Sequence, residues 1–381
     1  MAAVGTFGLQ ILAAFSAALA PAAVRAQPQL GLEVDVNAFS ASNPFLLSED
    51  PGITPGGEIV VRPDLTWPIG PGTTATAEGS LGFRQYSRRY GNFVTGQATG
   101  TLQHRRSEYL WLRTDASYER ILPTDALADS IDVAIDPVSL RENIQARQTL
   151  TWNPNETTSV VGSVAWLRTD AIDSPILIGT SAFDFSIGAE KRVSPLLAVG
   201  VRGQVITTRS ELGDDPTIKA FRLTATRRLA GTWRAQASVG IDQENRTGLD
   251  SVRRETPARL SGSGGICYEP EHMAVCLTAA IRSVISGFGN LQRETSVGAT
   301  LRRRISENGT LAASADYRRA PLPGVPGRAE VLQLSTDYEH RVSRRFSLRS
   351  GVDYLRRNLL AGDRAGSVVV HVGLTLREPR R

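Results

Sequence analysis

The chain is 381 residues long, with 43 Lys+Arg against 38 Asp+Glu and a formal net charge of +5 at pH 7. Lys191 and Lys219 are its only lysines; the remaining positive charge is guanidinium, spread along the chain rather than gathered into the basic face that grips nucleic acid. After the N-terminal stretch no run of about 18 apolar residues occurs, which excludes a helical membrane span, while a mean hydropathy of −0.16 leaves a strand-built span open, because only alternate strand residues meet lipid.

Gly8 to Ala20 is apolar, Pro21 ends the stretch, and Val24-Arg25-Ala26 offers a small-residue cleavage site. No Lys or Arg precedes it. The expectation is a secretory signal over residues 1–26 and one domain over 27–381, since no linker, composition shift or helical period interrupts the rest.

From Leu30 onward the chain alternates apolar and polar residues with period two, the signature of a strand with two unlike faces. The first such segment is 30–39, with Leu30, Leu32, Val34 and Val36 in one phase and Glu33, Asp35 and Asn37 in the other. The segment Ala41-Ser42-Asn43-Pro44-Phe45-Leu46-Leu47 then breaks the alternation, and Pro44 argues against a strand interior. It reads as an external loop or as a constriction folded into a lumen. Strands follow at 59–69, 73–86, 92–104, 109–120, 140–152, 157–168, 180–192, 196–209, 218–229, 232–243, 256–268, 273–286, 291–305, 310–319, 330–341, 346–356 and 366–377. Their connections alternate between tight turns such as Gly70-Pro71-Gly72 and Ser306-Glu307-Asn308-Gly309 and mostly longer loops. Tight turns suit antiparallel hairpins, and outer-membrane barrels place short turns in the periplasm and long loops outside.

The fold expected is therefore all-β: a single antiparallel transmembrane barrel of about 18 strands. If 30–39 is a periplasmic lead or plug, the count falls to 16. Trp67, Tyr109, Trp111, Trp152, Trp233, Tyr268, Tyr338 and Phe346 fall near periplasmic strand ends; Tyr86, Tyr118, Trp166, Tyr317 and Tyr354 fall near external ends. They are expected to form two interfacial girdles.

The phase opposite the apolar one is expected to line the lumen. It carries Arg141, Arg147, Arg202, Arg222, Arg228, Arg234, Arg259, Arg282, Arg302, Arg304, Arg318 and Arg349, with Glu78, Asp115, Asp184, Glu190, Asp242, Asp316, Asp337 and Asp353. Cross-strand pairing of such charges is ordinary barrel architecture, and arginine-rich composition also follows from a GC-rich genome. The arginine excess points to a lumen favouring anions or acidic saccharides.

Cys267 and Cys276 pair directly across the hairpin centred on Glu271-His272, so a disulfide is expected in an oxidising periplasm. A metal site is not expected, because only His272 stands nearby. Among His104, His272, His340 and His371, the last points inward at mid-strand, with no serine or acid set expected beside it. There is no phosphate loop, no H-E-x-x-H and no C-x-x-C, so neither an enzyme nor a cofactor is expected.

The Asn43-Pro44-Phe45-Leu46 segment after a signal, and Tyr86-Ser87-Arg88-Arg89-Tyr90-Gly91 in an early hairpin, carry a likeness. With them the chain resembles the β-barrel porins found with exopolysaccharide gene clusters of proteobacteria, notably sphingomonads. The resemblance implies a Gram-negative outer-membrane barrel serving exopolysaccharide export, with no catalytic residues to carry over. One departure is the final strand, which ends on Leu376 rather than an aromatic residue, before Arg377-Glu378-Pro379-Arg380-Arg381. The function expected is an aqueous, arginine-rich export channel; a diffusion porin and a non-conducting barrel anchoring an export complex are the alternatives. Partners would be outer-membrane lipid, an acidic polysaccharide and export-complex proteins.

Overall fold

A computed structural model describes residues 27–48, 52–87, 90–126, 138–174, 177–211, 215–247, 253–285, 291–321, 327–358 and 364–378. The expected signal segment, Arg88, Arg89 and the residues after Glu378 lie outside the described residues.

The strands are β1 (Gln29–Ala41), β2 (Thr54–Gly70), β3 (Thr73–Tyr86), β4 (Asn92–Arg105), β5 (Leu110–Ile121), β6 (Arg141–Asn155), β7 (Thr158–Ala171), β8 (Thr180–Ser194), β9 (Leu197–Ser210) and β10 (Thr217–Ala230). They continue with β11 (Trp233–Thr247), β12 (Arg253–Glu255), β13 (Arg259–Tyr268), β14 (Met273–Ile285), β15 (Leu291–Arg304), β16 (Gly309–Pro321), β17 (Arg328–Arg341), β18 (Phe346–Asn358) and β19 (Arg364–Glu378). β12 is a three-residue ribbon on the external extension of β11, which itself pairs with β13. The other strands make a closed 18-strand antiparallel barrel.

β1 decides the count. It pairs with β2 over its whole length and with β19 from Leu32↔Glu378 to Ala41↔Val369, so it closes the ring and the 16-strand alternative fails. Closure satisfies the backbone donors and acceptors that an open edge would strand in lipid, where each costs several kcal/mol.

The outward phase is apolar and uncovered: Leu30, Leu32 and Val36 on β1, Phe183, Phe185 and Ile187 on β8, and Val368, Val370, Val372, Leu374 and Leu376 on β19 are exposed. Such a belt is stable only against lipid. Tyr118, Trp166, Tyr317 and Tyr354 lie on this phase near external ends, and Trp67, Trp152, Trp233, Tyr268, Tyr338 and Phe346 near periplasmic ends. Two expected girdle residues point inward instead. Tyr86 is buried against Phe45, and Trp111 lies on the lumen phase of β5, with the Arg105 guanidinium 5.7 Å from its ring centroid.

β2 starts at Thr54 rather than near residue 59, because 54–58 continue the ladder with Ala41 to Asn37. At Arg62-Pro63 the β2–β3 pairing lapses and resumes in the same register at Asp64. Pro63 has no N–H to give, so the ladder skips it without slipping.

Candidate functional site

All twelve expected lumen arginines fall on the inward phase. The registers show it by pairing them across strands with other inward residues, as in Asp115↔Arg147, Arg202↔Arg222, Arg228↔Arg234, Asp242↔Arg259, Arg282↔Glu294 and Asp337 with Gly351 flanking Arg349. They do not all stand alike. Arg222 donates to Asp242 at 3.0 Å, Arg282 and Arg318 share Glu294 at 3.2 and 3.1 Å, Arg349 meets Asp337 at 3.2 Å, and Arg234 meets Glu269 at 3.2 Å. Arg141 is buried at the external end of β6.

The rest make no ion pair among the described residues. Arg202 donates to the Ser186 hydroxyl at 2.9 Å. Arg147 lies on β6 across from Asp115 and interacts with it only at longer range. Arg259 is exposed at the external end of β13, and Arg228, Arg302 and Arg304 are exposed at the periplasmic mouth. A cavity of about 870 Å3 runs along this side of the lumen, lined by Arg202, Arg222, Arg282, Gln204, Ser263 and Glu190.

The other side is organised differently. Beneath the external mouth lies a chamber of about 340 Å3, lined by β1–β3 and β17–β19 and roofed by Pro44. Arg62 and Arg84 line it; both share the inward phase, which the Ile59, Val61, Leu65 and Trp67 pattern on β2 already marks, yet neither was among the expected lumen arginines. Arg62 pairs with Glu33 at 3.1 Å and with Asp35; Arg84 pairs with Glu58 at 2.9 Å and Asp125 at 3.0 Å. His371 does point inward, as expected, but contrary to expectation an acid set flanks it, brought by the neighbouring strands β17 and β18: Nε2 is 3.1 Å from Asp337 and Nδ1 is 3.5 Å from Asp353. Its ring lies over Gly351, where a Cβ would come within 2.5 Å of the imidazole.

The roof is the Asn43–Leu47 segment, and the constriction reading is the one the geometry matches. Asn43 caps it, with its amide nitrogen donating to the Leu47 carbonyl at 2.8 Å and its side-chain oxygen accepting from the Leu47 N–H at 3.0 Å. Phe45 is fully buried among Phe39, Tyr86, Tyr90, Phe93 and Leu122. Leu46, at φ +50°, turns the other way and is fully buried against Ala320, Ala329, Val331, Leu355 and Ala365. The Arg357 guanidinium donates to the Leu46 carbonyl at 2.7 Å, and the Asn43 N–H donates to the Ser367 hydroxyl at 3.3 Å. One short segment thus docks on β3–β5 with one side chain and on β16–β19 with the next. The 3-10 turn Pro123–Ala126, next to Leu122, brings Asp125 to Arg84 and joins the chamber wall.

Cys267 and Cys276 face each other in register on the lumen phase, their Cα atoms 4.1 Å apart, and are joined by a disulfide. Glu269 is the third metal-type side chain near them; sulfurs committed to a disulfide are not thiolate ligands.

No protein-family model matches the sequence, and no curated protein does. Solved structures of similar fold include Pseudomonas aeruginosa OpdK with vanillate, 12% identical, covering 92% of this chain and 99% of that one at a TM-score of 0.50. Another is Pseudomonas aeruginosa OccK2 (OpdF) in complex with glucuronate, 10% identical, covering 92% and 98% at a TM-score of 0.51. The chain spans only 62% of the FrpB iron transporter from Neisseria meningitidis, with 86% of its own length, 10% identity and a TM-score of 0.46. At such identities the likeness is one of fold. With the apolar belt and the closed ring, it places this chain in the Gram-negative outer membrane as a porin-like barrel.

Proposed function

We propose that the barrel is a diffusion channel favouring small anionic solutes. The observation that carries this is the set of inward arginines that make no ion pair among the described residues: Arg147, Arg202, Arg228, Arg259, Arg302 and Arg304, running from one mouth to the other on β6–β15. A guanidinium in a narrow aqueous path attracts anions and offers paired N–H donors to a carboxylate. The two similar barrels above carry carboxylates, vanillate and glucuronate, in their structures; the case for this chain rests on its own arginines.

The Asn43–Leu47 roof favours small solutes over a polymer, because it fills part of the external mouth with buried, hydrogen-bonded chain. Export of an acidic exopolysaccharide, implied by the sequence resemblance, draws on the same arginines but gains nothing from this mouth. The test is a planar-bilayer recording of the refolded barrel across a KCl gradient. The reversal potential is expected to report anion preference; cation preference overturns the reading, and absence of conductance supports the anchoring barrel instead.

A further inference from the structure

We propose that the outer face of β13–β17 is a binding site for an acyl lipid bearing a phosphate headgroup, taken from the external leaflet. Two independent features of the outward phase meet there. The first is a groove of about 540 Å3, with a floor of Gly264, Ala279, Ala299 and Ala315 and rims that include Val297 and Leu332. The registers hold these residues side by side: Gly264↔Ala279, Ala279↔Val297 and Ala299↔Ala315. The outward phase of β8 is bulky by contrast, at Phe183, Phe185 and Ile187, while small outward residues also recur on β3–β6, as in Ala77↔Gly100 and Ala116↔Ala146. Small side chains in consecutive strands leave a furrow here, and an apolar furrow facing hydrocarbon is filled by an acyl chain.

The second feature is charge. One or two pleats toward the external end, about 7 to 14 Å away, the same phase carries Arg293, Arg319 and Arg328, with Arg356 and Arg364 beside them on β18 and β19. The Arg293 guanidinium reaches across β14 to the Leu260 carbonyl at 2.7 Å and so lies at the external margin of the groove. Arg319 and Arg328 stand near the Tyr317 phenol, and Glu330 faces Arg319 across the β16–β17 ladder. No ion pair engages Arg319, Arg328, Arg356 or Arg364 among the described residues. Outward arginines on β5–β7 are matched differently: Arg120 pairs with Glu142 at 3.5 Å and Arg168 with Asp170 at 2.7 Å. These unpaired cations thus stand above the groove, at the depth of headgroups; Arg209 and Lys219, at the external ends of β9 and β10, are also outward and exposed but have no such groove described beneath them.

Charge also argues against a second copy as occupant. A two-fold interface centred on this face sets each patch against itself, and arginine row would meet arginine row with Glu330 as the one outward acid among the described residues there to offset them. A phosphate-bearing lipid supplies the missing negative charge and the missing chain together.

The experiment is native mass spectrometry of the full barrel refolded in a neutral detergent. The probes are dioleoyl phosphatidylglycerol, dioleoyl phosphatidylcholine and inorganic phosphate, and heat-modifiable migration on gels confirms folding of every variant. Retention of phosphatidylglycerol at least tenfold over phosphatidylcholine is expected. Retention should fall in R319Q/R328Q, which removes the cations, and in Ala299→Phe, which fills the groove and keeps them; R120Q/R168Q should leave it unchanged. Equal retention of the two lipids, equal loss in R120Q/R168Q, competition by phosphate alone that abolishes the difference, or a lipid-free dimer overturns the proposal. The wild-type lipid comparison stands even if a variant fails to fold.

Discussion

The β1–β5 wall and the β6–β16 wall of the lumen are both charged, but only one of them is electrostatically open. On β1–β5 the inward acids are Glu33, Asp35, Glu58, Asp64, Glu78, Asp115 and Glu119, and the inward arginines are Arg62, Arg84, Arg105 and Arg113. Three of those arginines are tied to acids: Arg62 to Glu33 and Asp35, Arg84 to Glu58 and Asp125, and Arg113 to Asp115 at 2.8 Å. On β6–β16 the described inward arginines outnumber the acids, and several make no ion pair among the described residues. Counting charges along the chain therefore misleads, because a cation held by a carboxylate contributes little field at a distance. On the proposed reading selectivity belongs to the β6–β16 wall, whereas the β1–β5 wall, to which Phe45 of the roof docks, is built for shape.

Breaking that division on the open wall should have the largest effect. Arg202→Glu with Arg302→Glu, replacing two unmatched cations, is expected to move the reversal potential toward cations with the fold intact; an unchanged reversal potential refutes the assignment. Releasing the roof comes next. Phe45→Ala empties the aromatic cage and should cost about 3 to 5 kcal/mol, read as a lower denaturant midpoint for the refolded barrel. Single-channel conductance should rise in the same variant, and unchanged conductance means that the roof does not limit flow. Arg84→Gln, on the shaping wall, strands Glu58 and Asp125 beside each other and should cost about 3 kcal/mol, with a smaller change in selectivity than the open-wall pair. Equal shifts in selectivity from both variants erase the contrast. The smallest effect is expected of Cys276→Ser. Its bridge closes a hairpin already pinned by the ladder, so at most about 2 kcal/mol should be lost, with a gel shift on reduction in the wild type and none in the variant.

Much of this was legible in residue order, for definite reasons. Period two marks which side chains share a face, so the inward arginines, the strand at Leu30 and the facing of Cys267 and Cys276 all follow from parity. Tyr86 and Trp111 escaped, because an aromatic near a strand end suits an interfacial girdle and an inner cage equally well, and only the docked Phe45 or Arg105 tells which. Pairing partners escaped too. Arg84 meets Asp125 from a loop 41 residues away, a contact that no local pattern announces. The split of Phe45 and Leu46 to opposite pockets depends on a positive φ at a leucine, which sequence pattern gives no reason to expect.

The roof segment also has a bearing on assembly. The seam of the ring joins β1 to β19, the two ends of the chain, and it is the pairing with the greatest sequence separation. Ser42 exchanges hydrogen bonds with Val368, its N–H donating at 3.0 Å and its hydroxyl accepting at 2.9 Å. Asn43 and Leu46 add the contacts to Ser367 and Arg357. The segment is therefore a clasp across the join, fastened from the inside. Until the last strands arrive, half of its anchorage does not exist, so sealing the ring and narrowing its mouth become one and the same late event.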